Sequence, residues 1–139
     1  MPKKGLTSYV KVIQSYPPLS YGAGGITEEA IACVGFSRAQ HIINLGTMQH
    51  NTATSVTASV WESATSGGTY TLISGTLTTM ATGGTSEAYV IDVPVSSTKV
   101  YQKCISTAND GWCAVGAVAV LYGGSRGNPP TSENTAVVV

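Results

Sequence analysis

The sequence predicts an all-β domain, an antiparallel β-sandwich or jelly roll of about eight strands with extended N- and C-terminal arms. Three observations lead there. Only 10% of the 139 residues are charged, against about a quarter in ordinary soluble domains, and Thr, Ser, Val, Ala and Gly fill the difference, a composition suited to half-buried pleated surfaces. Short runs alternate between apolar and polar residues and are bounded by Gly, Pro, Asn and Ser. Good helix formers gather at one place, Thr27 to Ala32, long enough at most for a single capped turn and equally readable as a loop entering a strand. The apolar share of 42% with so little charge excludes a disordered chain, and the length suits one domain with one core.

Taken in order, the strand patterns are Tyr9 to Ile13, Ile31 to Phe36, His41 to Leu45, Thr54 to Glu62, Thr69 to Leu77, Glu87 to Val93, Lys99 to Ile105 and Cys113 to Tyr122. Thr54 to Glu62 is the clearest, with Val56, Ala58 and Val60 on one face and Thr57, Ser59 and Trp61 on the other. Ser63-Ala64-Thr65-Ser66-Gly67-Gly68 reads as a hairpin whose glycines supply the positive φ of the turn. Asn109-Asp110-Gly111 reads as a second hairpin. Gly83-Gly84-Thr85-Ser86 is a break, and Pro94 ends the strand before it. Cys113 to Tyr122 is apolar on both faces, which calls for a central, doubly covered strand or a subunit interface.

The ends differ in character. Ser15 to Gly25, with Pro17-Pro18 and several glycines, reads as an extended loop, and Gly123 to Asn134 reads as another. The expected division is therefore an N-terminal arm and loop over 1–30, a sandwich over 31–122 and a C-terminal arm over 123–139. Ala136-Val137-Val138-Val139 is an apolar, β-prone stretch suited to adding a strand to a neighbouring sheet.

Charge and chemistry narrow the function. Seven basic and seven acidic residues leave a net charge of zero, without the footprint that nucleic acid or an anionic membrane requires, so the expected partner is protein. Lys3-Lys4 is followed by no apolar run, so no signal peptide is expected, and Cys113 to Tyr122 is about half the roughly 20 residues of a membrane-crossing helix. Synthesis in a cytosol follows, where Cys33, Cys104 and Cys113 are expected to be buried free thiols.

His41 and His50 lack metal-site spacing and read as hydrogen-bonded polar residues at a strand end. No GxSxG context turns the serines, the histidines and Asp92 or Asp110 into a triad. Glu28 and Glu29 would face opposite ways on a strand. Gly22-Ala23-Gly24-Gly25 lacks the Lys-Ser/Thr of a phosphate loop, and Asn109 with Asp110 is too small a set for Ca²⁺. No catalytic residue, cofactor or metal is expected. Trp61, Trp112 and the seven tyrosines are core or interface anchors, or alternatively a sugar-stacking surface.

The run Thr54 to Thr71, a strand ending in Glu62-Ser63, a polar Gly-containing turn and Thr69-Tyr70, resembles small virion proteins of tailed bacteriophages. So does the succession Lys99 to Ile105, Val115 to Leu121 and Arg126-Gly127-Asn128-Pro129-Pro130. The turn has Ser66-Gly67-Gly68 where that family often has Asp-Gly.

This resemblance, over about residues 40 to 130, implies a capsid decoration (cement) protein. Such a protein is a non-enzymatic β-sandwich on the outer face of an icosahedral capsid, made in the host cytoplasm. The implied partners are the major capsid protein and other copies of itself as a trimer, with no nucleic acid and no membrane. Partner contacts are expected in the arms, at Tyr16, Pro17, Pro18, Leu19, Tyr21, Arg126, Pro129, Pro130, Val137, Val138 and Val139. Other virion roles (tail tube, connector, fibre base) and a carbohydrate-binding module are the alternatives.

Overall fold

The computed structural model describes residues 10–22, 28–48, 55–82, 87–108 and 112–123. These form nine strands and no helix: β1 (Lys11–Gly22), β2 (Ile31–Ala32), β3 (Arg38–Met48), β4 (Ser55–Ser63), β5 (Thr71–Leu72), β6 (Thr78–Thr82), β7 (Glu87–Pro94), β8 (Tyr101–Ala108) and β9 (Trp112–Tyr122). They build two antiparallel sheets. One has the order β1-β9-β3-β7, and the other has β2-β8-β4-β5, with β6 also pairing β4. From β1 to β4, and again from β6 to β9, every connection passes from one sheet to the other. This is the jelly-roll winding, which closes a two-sheet sandwich from strands distant in sequence.

Alternation places the core. On β9, Cys113, Val115, Ala117, Ala119 and Leu121 are buried, facing Val56, Ala58 and Val60 of β4 across the sandwich. The core has two apolar clusters. One gathers Tyr16, Ile43, Leu45, Val56, Cys104 and Val115 among others, and the other Ile31, Cys33, Ala39, Val60, Val93, Ala119 and Leu121.

Two buried polar bridges join the sheets. The Tyr16 hydroxyl on β1 lies 2.5 Å from the Ser106 hydroxyl on β8. His41 Nε2 on β3 lies 2.9 Å from Gln102 Oε1, also on β8, and Gln102 Nε2 in turn donates to the Pro94 carbonyl at 3.2 Å. His41 falls between Ala39 of the second cluster and Ile43 of the first.

β5 and β6 are two pieces of one edge, interrupted by the turn Ile73-Ser74-Gly75-Thr76, where Gly75 takes φ 81°. The Thr76 side chain repairs the gap. Its hydroxyl accepts from the Val60 N–H at 3.0 Å and donates to the Ile73 carbonyl at 2.8 Å, so a buried ladder donor of β4 is satisfied where no strand lies opposite.

Several expectations are corrected by this structure. Ser15 to Gly25 is not a loop throughout, because β1 runs to Gly22 and pairs with β9 from Lys11↔Leu121 to Gly22↔Trp112. The sandwich thus begins well before residue 31. Edge position and two register breaks, either side of Tyr16, reconcile Pro17-Pro18 with a strand, since an edge prolyl residue owes no hydrogen bond to a neighbour. Asn109-Asp110-Gly111 lies outside the described residues, but β8 and β9 on either side belong to different sheets, so the connection is not a hairpin.

The Ser63 to Gly68 hairpin is present, with Trp61 opposite Leu72 and Glu62 opposite Thr71. Its glycines do not have positive φ. Gly68 is instead a matter of space, since a Cβ there would collide with the Thr65 and Ser63 hydroxyls. No helical turn forms at Glu28 to Ala30, and β6 is a strand that the alternation alone did not mark. Gly83 to Ser86 lies outside the described residues.

Candidate functional site: the outer face of the four-stranded sheet

The strands that bury one face of the β1-β9-β3-β7 sheet turn the alternate residues outward. Cross-strand register sets these in rows. Val90, Ile42, Val118 and Gln14 form one row, and Asp92, Gln40, Val120 and Val12 the next. Val90 is 55% exposed and Val12 39%, while Ile42, Val118 and Val120 are half-buried. The double apolar character of β9 is thereby explained. It is the centre strand between β1 and β3, with its inner face in the core and its outer face only partly covered.

The bulged part of β1 shapes this face. Pairing passes from Gln14↔Val118 to Tyr16↔Ala117 and then to Leu19↔Val115, so β1 carries one extra residue at Ser15 and a second where Pro17 and Pro18 together face the single residue Gly116. The first extra residue turns Tyr16 into the core, where it is 1% exposed. The second presses Pro18 onto Gly116, where a Cβ would stand 2.9 Å from both Pro18 Cα and Cβ. A groove of about 540 Å³ results, lined by Val12, Gln14, Pro18, Ile42, Asn44 and Val118 with Gly116 at its floor. None of its walls carries a charge.

Gly116→Ala is expected to displace Pro18 and open the groove. The added Cβ sits closer to backbone than real side chains come, and overpacking of this kind costs about 1–3 kcal/mol. Thermal unfolding of the variant, with chemical-shift changes centred on Pro17 to Leu19, checks this.

One end of the face is polar. Arg38 Nη2 lies 2.7 Å from Asp92 Oδ1, Arg38 Nε donates to the same oxygen at 2.8 Å and to the Tyr122 hydroxyl at 3.0 Å, and that hydroxyl donates to Asp92 Oδ2. Both charges are substantially exposed, so the network fixes the ends of β3, β7 and β9 in register more than it stabilises the fold.

The interior groups are inert in this arrangement. Burial lowers the pKa of His41 below its usual value, partly offset by the Gln102 hydrogen bond, and His41 Nδ1 has no partner. His41 is therefore not at a strand end as expected but in mid-strand and wholly buried. Cys33, Cys104 and Cys113 are buried free thiols, as expected. Desolvation pushes Cys33 and Cys104 up to about 12 and raises Cys113 as well, so they lack the thiolate character that reactivity needs. Among the described residues, no three His, Cys, Asp or Glu side chains come together as a metal site.

Of the expected contact residues, Tyr16 is corrected. It is a core residue bridging the sheets and is not available on the surface. Pro17, Pro18 and Leu19 are exposed on β1, and Tyr21 lies near the end of the same strand. Arg126, Pro129, Pro130, Val137, Val138 and Val139 lie outside the described residues, as do His50 and Asp110. Trp61 projects from the opposite sheet, half-buried, its indole N–H donating to Ser59 at 2.9 Å. The groove residues Ile42, Asn44 and Gly116 were not singled out by the sequence. Their one signal was the unbroken apolar run of β9.

Sheet order and winding define the class as a jelly-roll β-sandwich in architecture. No protein-family model matches the chain, and no characterised protein matches it in sequence. Solved structures do. The structure of infectious bursal disease virus Gx strain aligns at a TM-score of 0.54 and 15% identity, over 84% of this chain and 32% of that one. The structure of the Gt strain aligns at 0.52 and 15%, over 81% and 32%. This chain spans about a third of the length of those chains, and what it shares with them is the fold.

Proposed function

We propose that the chain is a structural virion protein that sits on the outer surface of an icosahedral bacteriophage capsid and bridges neighbouring capsid subunits. The observation that carries the reading is a jelly roll whose centre strand is apolar on both faces but is fully covered on only one. Exposed apolar surface of this kind is a cost to a free monomer and an asset to a subunit held among neighbours. The likeness in fold to virus structures supports a virion role in general, and the resemblance to decoration proteins supports the finer one.

In this reading the partners are the major capsid protein and other copies of the chain, as a homotrimer. Pro17, Pro18, Leu19 and Tyr21 on the β1 edge make contacts, together with Arg126, Pro129, Pro130 and Val137 to Val139. Each copy touches several capsid subunits at once, so individually weak contacts combine through multivalency to resist internal pressure.

The test is to mix the purified protein with empty capsids of tailed phages, sediment the particles and measure the temperature at which they open. Co-sedimentation with a raised opening temperature is expected. Absence of binding to every capsid, or binding to a glycan array in its place, overturns the proposal, and closed shells formed by the protein alone would make it a shell subunit instead.

A further inference from the structure

We propose that the groove beside Pro18 on the outer face is the seat of the chain's own segment Ala136-Val137-Val138-Val139. The groove fits such an occupant in size and chemistry. Its volume of about 540 Å³ lies within the roughly 300–1,000 Å³ of sites that enclose small ligands. Its walls are aliphatic at Val12, Pro18, Ile42 and Val118, with the uncharged amides of Gln14 and Asn44 placed to meet a peptide backbone. The proposed segment is uncharged and aliphatic. Outside the described residues, no other stretch has three consecutive aliphatic side chains. In extended form it would direct Val137 and Val139 to one side and Val138 to the other, so two branched side chains could enter a slot floored by Gly116.

Reach favours the same chain over a second copy. At the end of β9, Gly123 adopts φ 69°, which turns the chain off the strand. From there the floor at Gly116 lies seven residues back along β9, roughly 23 Å at about 3.3 Å per residue. Twelve residues lie between Gly123 and Ala136, and the thirteen steps from one to the other span up to about 45 Å when extended. The Asn128-Pro129-Pro130 sequence within this tether favours a reversal. A tether of this length holds its end at an effective concentration on the order of millimolar, well above that of free copies in dilute solution. The proposal concerns the free single chain; on a capsid the same Val137 to Val139 would leave the groove to make the contacts proposed above.

Methyl-resolved NMR of the full chain tests it. Cross-peaks are expected between the Ile42 and Val118 methyls and those of Val137 to Val139, unchanged on dilution. In the double variant Val137→Ser/Val139→Ser, the Ile42 and Val118 methyls should shift while those of buried Val60 stay fixed. In Ile42→Ser, an outward position that spares the core, the resonances of Val137 to Val139 should move to random-coil positions. Missing cross-peaks, or variants that leave the Ile42 and Val118 methyls unmoved, overturn the proposal. So do cross-peaks that fade on dilution, which would assign the groove to a second copy's segment.

Discussion

Tyr16→Ala is expected to lower stability by about 3–5 kcal/mol, the range for truncating a large buried aromatic, and Tyr16→Phe by about 1–3 kcal/mol. The two numbers separate two roles of one side chain. The ring fills the larger core cluster between β1 and β8, and only the alanine variant empties that space. The hydroxyl meets Ser106, itself fully buried, and phenylalanine leaves that serine without its cross-sheet partner. Because small domains are stable by only about 5–15 kcal/mol, the alanine variant should be close to the limit of folding. Urea unfolding of both variants, followed by tryptophan fluorescence, measures the difference. A Tyr16→Ala protein as stable as the parent would return Tyr16 to the surface role that the sequence implied.

Acidification is expected to weaken the fold through His41 in the window below pH 6.5. Burial holds the folded-state pKa below the ordinary value of 6.5, so above that pH the ring is neutral in both states and the contribution is complete. As pH falls below 6.5, the unfolded chain takes up a proton that the folded chain refuses. Stability then declines by at most about 1.4 kcal/mol per pH unit, until the folded-state pKa is reached. Nε2 of the charged ring keeps Gln102, but its second N–H, at the orphaned Nδ1, finds no acceptor.

His41→Gln should flatten the slope of unfolding free energy between pH 6.5 and about pH 5, above the range in which carboxylates titrate. Any remaining slope reports other groups. Gln102→Leu should cost about 1–3 kcal/mol at neutral pH, because it removes the partner of His41 Nε2 and of the Pro94 carbonyl together. Equal slopes for the parent and His41→Gln would show that His41 does not control this response.

The sequence was legible where side-chain alternation met a turn that stayed within one sheet. Thr54 to Glu62 and Cys113 to Tyr122 appear as β4 and β9 nearly to the residue, and the hairpin after Ser63 is where its composition places it. It misled where the turn chemistry was the same but the partner was elsewhere. Asn109-Asp110-Gly111 has the composition of a hairpin, yet β8 and β9 find their partners in different sheets, and no local signal separates the two outcomes. Pro17-Pro18 argued against a strand on sound grounds. An edge position with two bulges removes the objection, and both are properties of the sheet rather than of the segment.

The candidate site was legible in half. The doubly apolar β9 announced a face in need of cover, but the groove depends on Pro18 meeting Gly116 across β1 and β9, a pairing of residues about a hundred positions apart.

That same pairing sets a timetable for synthesis. β1 leaves the ribosome about a hundred residues ahead of β9, its only strand partner among the described residues. At roughly 5–20 residues per second, the intervening stretch takes on the order of 5–20 s to appear, during which Tyr16 has no core to enter and one edge of a bulged strand stands open. Two prolines and an irregular backbone in that strand make it a poor template for a stray chain during the wait. The distortion that defines the groove in the finished protein thus also guards the newborn one.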